Sequence, residues 1–412
     1  MQILRKPKER LVVVGNGMAG IRAVEEILKR APDRFDVTVF GAEPHVNYNR
    51  VLLSPLLAGE VSFDEIVTHD RAWYAAHGVT LFAGEAVTRI DPQARRVHGA
   101  NGTRADYDVA IVATGSNPIV LPVPGANLPG VVTFRDVGDV RRMQEAARRH
   151  RRAVVVGGGL LGIEAATGLR AIGMDVTLVH LMPTLMERQL DAAAGALLRR
   201  EIEARGIRVL TSANTTAILR GSRVNTVRLE DGELDANLVV MAVGIRPNVA
   251  LARAAGLECR RGLVVDDAMR TSDPWIYAVG ECVEHRGQTY GLVAPLFEMA
   301  AVCADCIARI GEAAYAGSVT SARLKVTGVE LFSAGRFLER EAGDEDIVFR
   351  DTHHGVYKRI VVHDNRIKGA VLYGDARDAH WYLDMLRGGA DVAPFREALP
   401  FGRTYAGAAA AA

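Results

Sequence analysis

Cysteine is scarce in this 412-residue chain: there are four, and none precedes Cys259. So few thiols cannot lace a chain of this length into a disulfide framework, and they point to a reducing, cytoplasmic setting. Cys303 and Cys306 form a lone CxxC within MAAVCADCIARI, an apolar stretch of helical spacing. Zinc or an iron–sulfur cluster takes four ligands, usually as two such pairs, so the expected reading is two small apolar residues on one buried helical face and no metal. Net charge is nearly absent as well, +1 from 50 basic and 49 acidic residues. Neither nucleic acid nor an anionic membrane surface is therefore an expected partner. No apolar run approaches the ~20 residues that span a bilayer. The start, MQILRKPKER, is basic but runs into a short strand and glycines without a cleavage-type ending, so no signal peptide is expected. His69, His77 and His98 are scattered singly, and the pair His353–His354 precedes a glycine, which reads as a turn rather than a metal site.

Glycine, by contrast, is plentiful, with 41 residues, and its placement repeats. LVVVGNGMAGIRA at 11–23 carries Gly15-x-Gly17-x-x-Gly20, and VVVGGGLLGIEAA at 154–166 carries Gly157-x-Gly159-x-x-Gly162. Each triplet follows an apolar run, opens a helical pattern (IRAVEEILKRA; IEAATGLRAIG) and leads to a further strand (DVTVF; DVTLV). Later in each half an apolar strand ends in a glycine turn, DVAIVATGSNP at 108–118 and NLVVMAVGIRPN at 237–248. This is the βαβ dinucleotide fingerprint twice over. The first glycine permits the tight turn, the second lets backbone approach a pyrophosphate, and the third lets helix and strand pack closely. The pyrophosphate then lies on the free N–H groups of the helix start. The length calls for two or three domains, and two such units hold two nucleotides.

An acid at the end of the second strand accepts a hydrogen bond from a ribose hydroxyl. Glu43, in DVTVFGAEP, fills that place in the first unit, whereas the second strand ends in His180, with Arg188 eight residues on. A histidine does not repel a 2′-phosphate, so NAD(H) and NADP(H) both remain open.

The order GxGxxG, ATG, GGGxxGxE, VGIRPN, TSDPWIYAVGE resembles the FAD- and NAD(P)H-dependent pyridine nucleotide reductases of glutathione-reductase-like fold. The strings VVGNGMAG, FGAEPHVNYNRVLLS and VHLMPTLMERQLD, with LKVTGVELFSAG and VYKRIVVHDNRIKGAVLYGD later, resemble the N-terminal flavoprotein portion of NAD(P)H-dependent nitrite reductase large subunits. The resemblance implies that Gly15, Asn16, Gly17, Met18, Ala19 and Gly20 line the FAD pyrophosphate and Glu43 the adenosine ribose. It places Asn49 and Arg50 beside the isoalloxazine, Val87 at the adenine, Ala113, Thr114 and Gly115 near the flavin, and Gly280 with Glu281 at the ribityl-phosphate end. The family's usual acid there is Asp. Gly157, Gly159, Leu160, Leu161 and Gly162 would hold the nicotinamide dinucleotide, with His180 and Gly244 at the same site and Glu164 near nicotinamide and flavin. Glu164 and Arg50 are the expected catalytic residues.

The resemblance implies that hydride passes from NAD(P)H to FAD, chemistry that belongs to the cofactors. The Cys-x₄-Cys pair of disulfide reductases has no counterpart before Cys259, so electrons are expected to leave for a separate acceptor protein or module, iron–sulfur or sirohaem. The leading expectation is the reductase module of an assimilatory nitrite reductase system. Alternatives are a ferredoxin or rubredoxin reductase and an NAD(H)-binding redox sensor. The expected fold is α/β, with two Rossmann-like domains. FAD would take 1–117 and 244–316, and NAD(P) would take 118–243. A small C-terminal α/β domain, 317–412, is expected to cover the flavin or form a subunit interface, as in a homodimer. In it VYKRIVV and IKGAVLY read as a hairpin about HDNR, and ARDAHWYLDMLRGG as a helix with a glycine stop.

Overall fold

The computed structural model describes residues 7–220, 224–309, 313–324 and 326–411; residues 1–6 of the basic start and Ala412 of the terminal alanine run lie outside them. The chain divides into two compact units. One comprises 1–50, 63–117 and 245–318, and the other 51–62, 118–244 and 319–412.

In the first unit, continuous Val/Ile runs make strands buried on both faces, as a parallel sheet with covered faces requires. Leu11, Val13 and Ile111 are wholly buried. The five strands run in the order Ile276–Ala278, Val109–Val112, Glu9–Val14, Phe35–Gly41, Val79–Ala83, all parallel. Helix Met18–Arg30 buries Ile21, Val24 and Ile27 at helical spacing and ends in Lys29 and Arg30, cations suited to its negative end. Arg30 also reaches Asp305 on helix Val293–Ala308, at 2.5 Å.

The second unit repeats the plan in four of its five strands; its edge strand precedes the glycine-bearing strand in the chain, whereas that of the first unit follows the closing strand. Its parallel sheet runs Val131–Thr133, Leu238–Met241, Arg152–Val156, Asp175–Val179, Arg208–Leu210, in matching register throughout. The repeat goes further than the glycines suggest. Each unit carries a three-stranded antiparallel meander just before its closing strand. These are Val87–Asp91, Arg96–Gly99 and Arg104–Asp106 in one, and Thr215–Arg220, Val224–Leu229 and Gly232–Asp235 in the other.

Two placements differ from the sequence-based boundaries. Residues 51–62 group with the second unit. Helix Leu53–Ala58 packs on helix Leu160–Ala171, where Gly168 leaves room for Leu57: a Cβ there would lie 2.8 Å from a Leu57 methyl. Leu57 is wholly buried, which is worth about 1.5–3 kcal/mol. Residues 319–412 also group with the second unit. Tyr357 donates to Asp191 at 2.5 Å and Arg359 at 3.2 Å, tying the C-terminal sheet to the start of helix Ala192–Ala204.

The C-terminal segment is a five-stranded antiparallel sheet, Ser321–Arg323, Leu331–Gly335, Arg366–Tyr373, Val356–His363, Glu345–Asp351. Its central hairpin turns on Asp364 and Asn365, both at positive φ (48° and 54°), the two-residue turn whose twist suits paired strands. Helix Ala379–Gly388 stops at Gly389 in the left-handed conformation. Tyr382 is wholly buried and donates to the Leu399 carbonyl, and the half-buried Trp381 packs against the same core. Among the described residues, no helix is long and apolar enough to cross a membrane.

Candidate functional site

Both glycine triplets sit where a strand hands over to a helix. Gly15 and Gly157 have φ of +127° and +115°, values an L side chain rarely adopts. A Cβ on Gly15 would collide with the Ala113 carbonyl, and one on Gly157 would lie 2.7 Å from the Ala242 carbonyl carbon. The turn is thereby locked against the closing strand of each sheet. Gly20 and Gly162 abut the carbonyls of Gly15 and Gly157, leaving no space for a methyl. The middle glycines are different: a Cβ on Gly17 or Gly159 would meet nothing within 4 Å. Both are helix N-caps in extended conformation, with no side chain bonded to the helix start. Open space before uncapped N–H groups fits a pyrophosphate. Met18, Ala19, Leu160 and Leu161 form the first turns of these two helices.

In the first unit the polar residues form one network. Asn16 donates to the His45 carbonyl at 3.1 Å and accepts from the Tyr74 hydroxyl at 2.7 Å. Asn47, almost wholly buried, donates to the Asn16 carbonyl at 2.9 Å. Gly41 lies against this group, its Cβ position 2.8 Å from that of Asn16. Asn16 is thus held by the Asn47 and Tyr74 side chains and the His45 backbone, and fixes the loop beyond the second strand to the glycine turn. Glu43 accepts from the Tyr48 hydroxyl at 2.6 Å and pairs with Arg50, whose guanidinium also lies over the Tyr48 ring, 5.1 Å from its centre. Glu43 and Arg50, expected at opposite ends of FAD, are paired with each other here. Asn49 is held by its backbone, donating to the Ile66 carbonyl at 2.8 Å.

The closing turn brings Thr114 to Asn248, its hydroxyl donating to that carbonyl at 2.8 Å, while Asn248 N–H donates to the Gly115 carbonyl at 2.9 Å. Ser116 donates to Glu281 at 2.8 Å. Gly280, at φ +95°, would place a Cβ 3.0 Å from that of Ala19, so the late glycine–acid pair adjoins the first glycine turn. Val87 lies in the meander and packs against the sheet's core. Asn47, Tyr48, Tyr74, Ser116 and Asn248 were missed from sequence. Only VNYNR, dense in hydrogen-bonding residues beside Glu43, offered a signal.

In the second unit Glu164 lies in the first helix after the glycines and is 8% exposed. Gly244 has φ +115° after the closing strand. His180 does not stand at an open strand end: it is buried beneath the turn, accepts from the Gly158 N–H at 3.0 Å and contacts Glu187 at 3.0 Å. Burial pushes the thiols of Cys303 and Cys306 above the usual range, so neither is a ready thiolate.

The model of the pyridine nucleotide-disulphide oxidoreductases matches residues 9–299. The chain belongs to that family. The rubredoxin NAD+ reductase C-terminal domain matches 321–390. A nitrite reductase [NAD(P)H] of Bacillus subtilis (strain 168) is 49% identical over 93% of this chain and 48% of its own length. The assimilatory nitrate reductase electron transfer subunit of the same organism is 44% identical over 92% of this chain and 49% of its own. The chain therefore spans about half the length of these curated relatives. Among solved structures, the covalent putidaredoxin reductase–putidaredoxin complex superposes with a TM-score of 0.86 at 25% identity, covering 99% of this chain and all of the other. The α/β fold with paired dinucleotide units and a C-terminal domain is that of this family.

Proposed function

We propose that the chain is an NAD(P)H-oxidising flavoprotein, binding FAD on the first unit and NAD(P)H on the second, and that it delivers electrons to a separate acceptor. The observation that carries this is the duplication: two parallel sheets that share the order of four strands, from the closing strand through the glycine-bearing strand to the two after it, each with an uncapped, glycine-tipped helix start with room for a pyrophosphate. When bound, reduced nicotinamide supplies a hydride and FAD accepts it. The chain's own residues bind and orient. Gly15, Asn16, Gly17, Met18, Ala19 and Gly20 face the flavin pyrophosphate. Glu43, with Arg50 and Tyr48, stands at the adenosine end. Thr114 and Gly115 with Gly280 and Glu281 form the opposite wall, and Val87 lies towards the adenine. Gly157, Gly159, Leu160, Leu161 and Gly162 hold the nicotinamide dinucleotide, with Gly244 beyond and Glu164 as the acid near the reacting ring.

Resemblance to the Bacillus nitrite reductase and electron transfer subunit supports service to nitrate or nitrite assimilation, and the acceptor we propose is an iron–sulfur or sirohaem module in the cytoplasm. The match of 321–390 to a rubredoxin reductase domain favours a second reading, a reductase for a small redox protein. The test is spectroscopic. The purified protein is expected to be yellow, to release FAD on denaturation, and to bleach on anaerobic addition of NADH or NADPH. A colourless protein that takes up no FAD would refute the proposal. Acceptor trials then separate the two readings.

A further inference from the structure

The strand that ordinarily ends in a ribose-binding acid ends here in His180, yet a carboxylate still reaches the glycine turn. Gly158 N–H donates to His180 Nδ1 at 3.0 Å. That nitrogen therefore carries no proton, and the ring hydrogen sits on Nε2. Nε2 lies 3.0 Å from a Glu187 oxygen, so the imidazole donates to that carboxylate. A second tie fixes the chain beside it: Met186 N–H donates to the Gly158 carbonyl at 2.9 Å. Met186 is wholly buried at φ +52°, a conformation a non-glycine residue keeps only when its surroundings hold it. Gly158 admits no side chain, since a Cβ would lie 2.7 Å from both the His180 ring and a Leu185 methyl. Glu187 is thus positioned from both sides, by its own backbone and by the imidazole, while its side chain stays 30% exposed. The segments flanking this turn expose apolar side chains to match, with Leu161 at 36%, Leu181 at 62% and Met182 at 42%.

The geometry points to Glu187, oriented by His180, as the residue that reads the adenosine ribose and selects NADH over NADPH; this rests on the second unit being the NAD(P)H site. A carboxylate with a free lone pair accepts a hydrogen bond from a 2′-hydroxyl and repels a 2′-phosphate. His180 is a positioning residue. Exposed Arg188 is the competing feature, since it would draw the phosphate in.

Calorimetric titration of the FAD-loaded protein with NAD+ and with NADP+ tests this, alongside the kcat/KM ratio for the reduced forms. Wild type is expected to favour NAD+ by at least ~10-fold, with Glu187→Gln closing most of that gap chiefly through tighter NADP+ binding. His180→Ala is expected to shift the same ratio in the same direction, and the double variant no further than Glu187→Gln alone, because the histidine acts through the glutamate. Unchanged circular dichroism and Tm, with retained flavin absorbance, show that each variant is folded. A wild-type preference for NADP+, or a ratio that moves less than about twofold in Glu187→Gln, overturns the inference while leaving the NAD(P)H site intact. If wild type binds neither nucleotide, the assignment of the unit falls and the inference with it.

Discussion

At Glu43 the carboxylate holds both a hydroxyl and a guanidinium, from Tyr48 and Arg50. Both partners come from the segment just beyond the strand end, so the acid organises the loop that would close over an adenosine. Truncation removes the charged acceptor proposed for the ribose and one partner of Arg50. Hydrogen bonds to a charged group are worth about 1.5–3 kcal/mol. Glu43→Ala is therefore expected to weaken FAD retention by roughly 10–100-fold, read as flavin lost on dialysis or as the Kd for FAD rebinding to the apoprotein. Undiminished occupancy would remove Glu43 from the site. The same residue shows what a motif leaves out. A sequence pattern assigns Glu43 and Arg50 separately, because nothing in residue order says that the chain after the strand turns back and brings the guanidinium onto the carboxylate.

Among the elements, the C-terminal hairpin carries the most exposed risk to stability. Lys358, on strand Val356–His363, is 4% exposed, and its ammonium lies 2.9 Å from Asp375. Arg377 also donates to Asp375 at 2.9 Å, and with Lys358 it holds that carboxyl well below the usual carboxylate range. A buried ion pair adds little over an apolar pair of the same shape, but removing one partner leaves an uncompensated charge, at about 3–5 kcal/mol. Asp375→Ala is expected to lower the Tm clearly, and adding Lys358→Met to recover much of the loss. Equal melting of single and double variants would show that Lys358 finds solvent. Much of this element was legible beforehand. VYKRIVV and IKGAVLY announce paired strands, HDNR their turn, and Gly389 the helix stop. The meanders before each closing strand were not legible, because short strands such as Arg104–Asp106 are fixed by their partners rather than by their own composition. The displacement of 51–62 into the second unit was equally hidden: LLSPLLA is simply apolar, and only the gap at Gly168 tells which helix receives it. Of the site, the glycines were readable because they answer backbone geometry. Glu187 was not, since its role comes from a hydrogen bond to a residue seven positions earlier.

Over the whole molecule, acid stability should report how the first sheet is closed. Asp108 precedes the closing strand Val109–Val112, and Arg10 lies in the opening strand Glu9–Val14. Arg10 donates to Asp108 from its side chain at 2.9 and 3.1 Å and from its backbone N–H at 2.8 Å. The side-chain bonds chiefly, and the backbone bond next, hold the Asp108 pKa at about 2 against an ordinary 3.8. Because the folded value is depressed, the folded state keeps the carboxylate ionised to lower pH than the unfolded chain does. The contribution is complete above about pH 4 and is lost as pH falls through about 2. The pair is more than a third exposed (46% and 37%), so solvent screening keeps it modest. In the C-terminal sheet Asp344 is depressed in the same direction by Arg336, so the second unit contributes its own acid limb. Asp108→Asn removes one such contribution and leaves the others, Asp344 and Asp375 among them. It is expected to lower stability at pH 7 and to flatten, without abolishing, the fall in Tm between about pH 4 and pH 2. Wild-type and variant melting curves that stay parallel across that window would show that this pair does not couple protonation to folding.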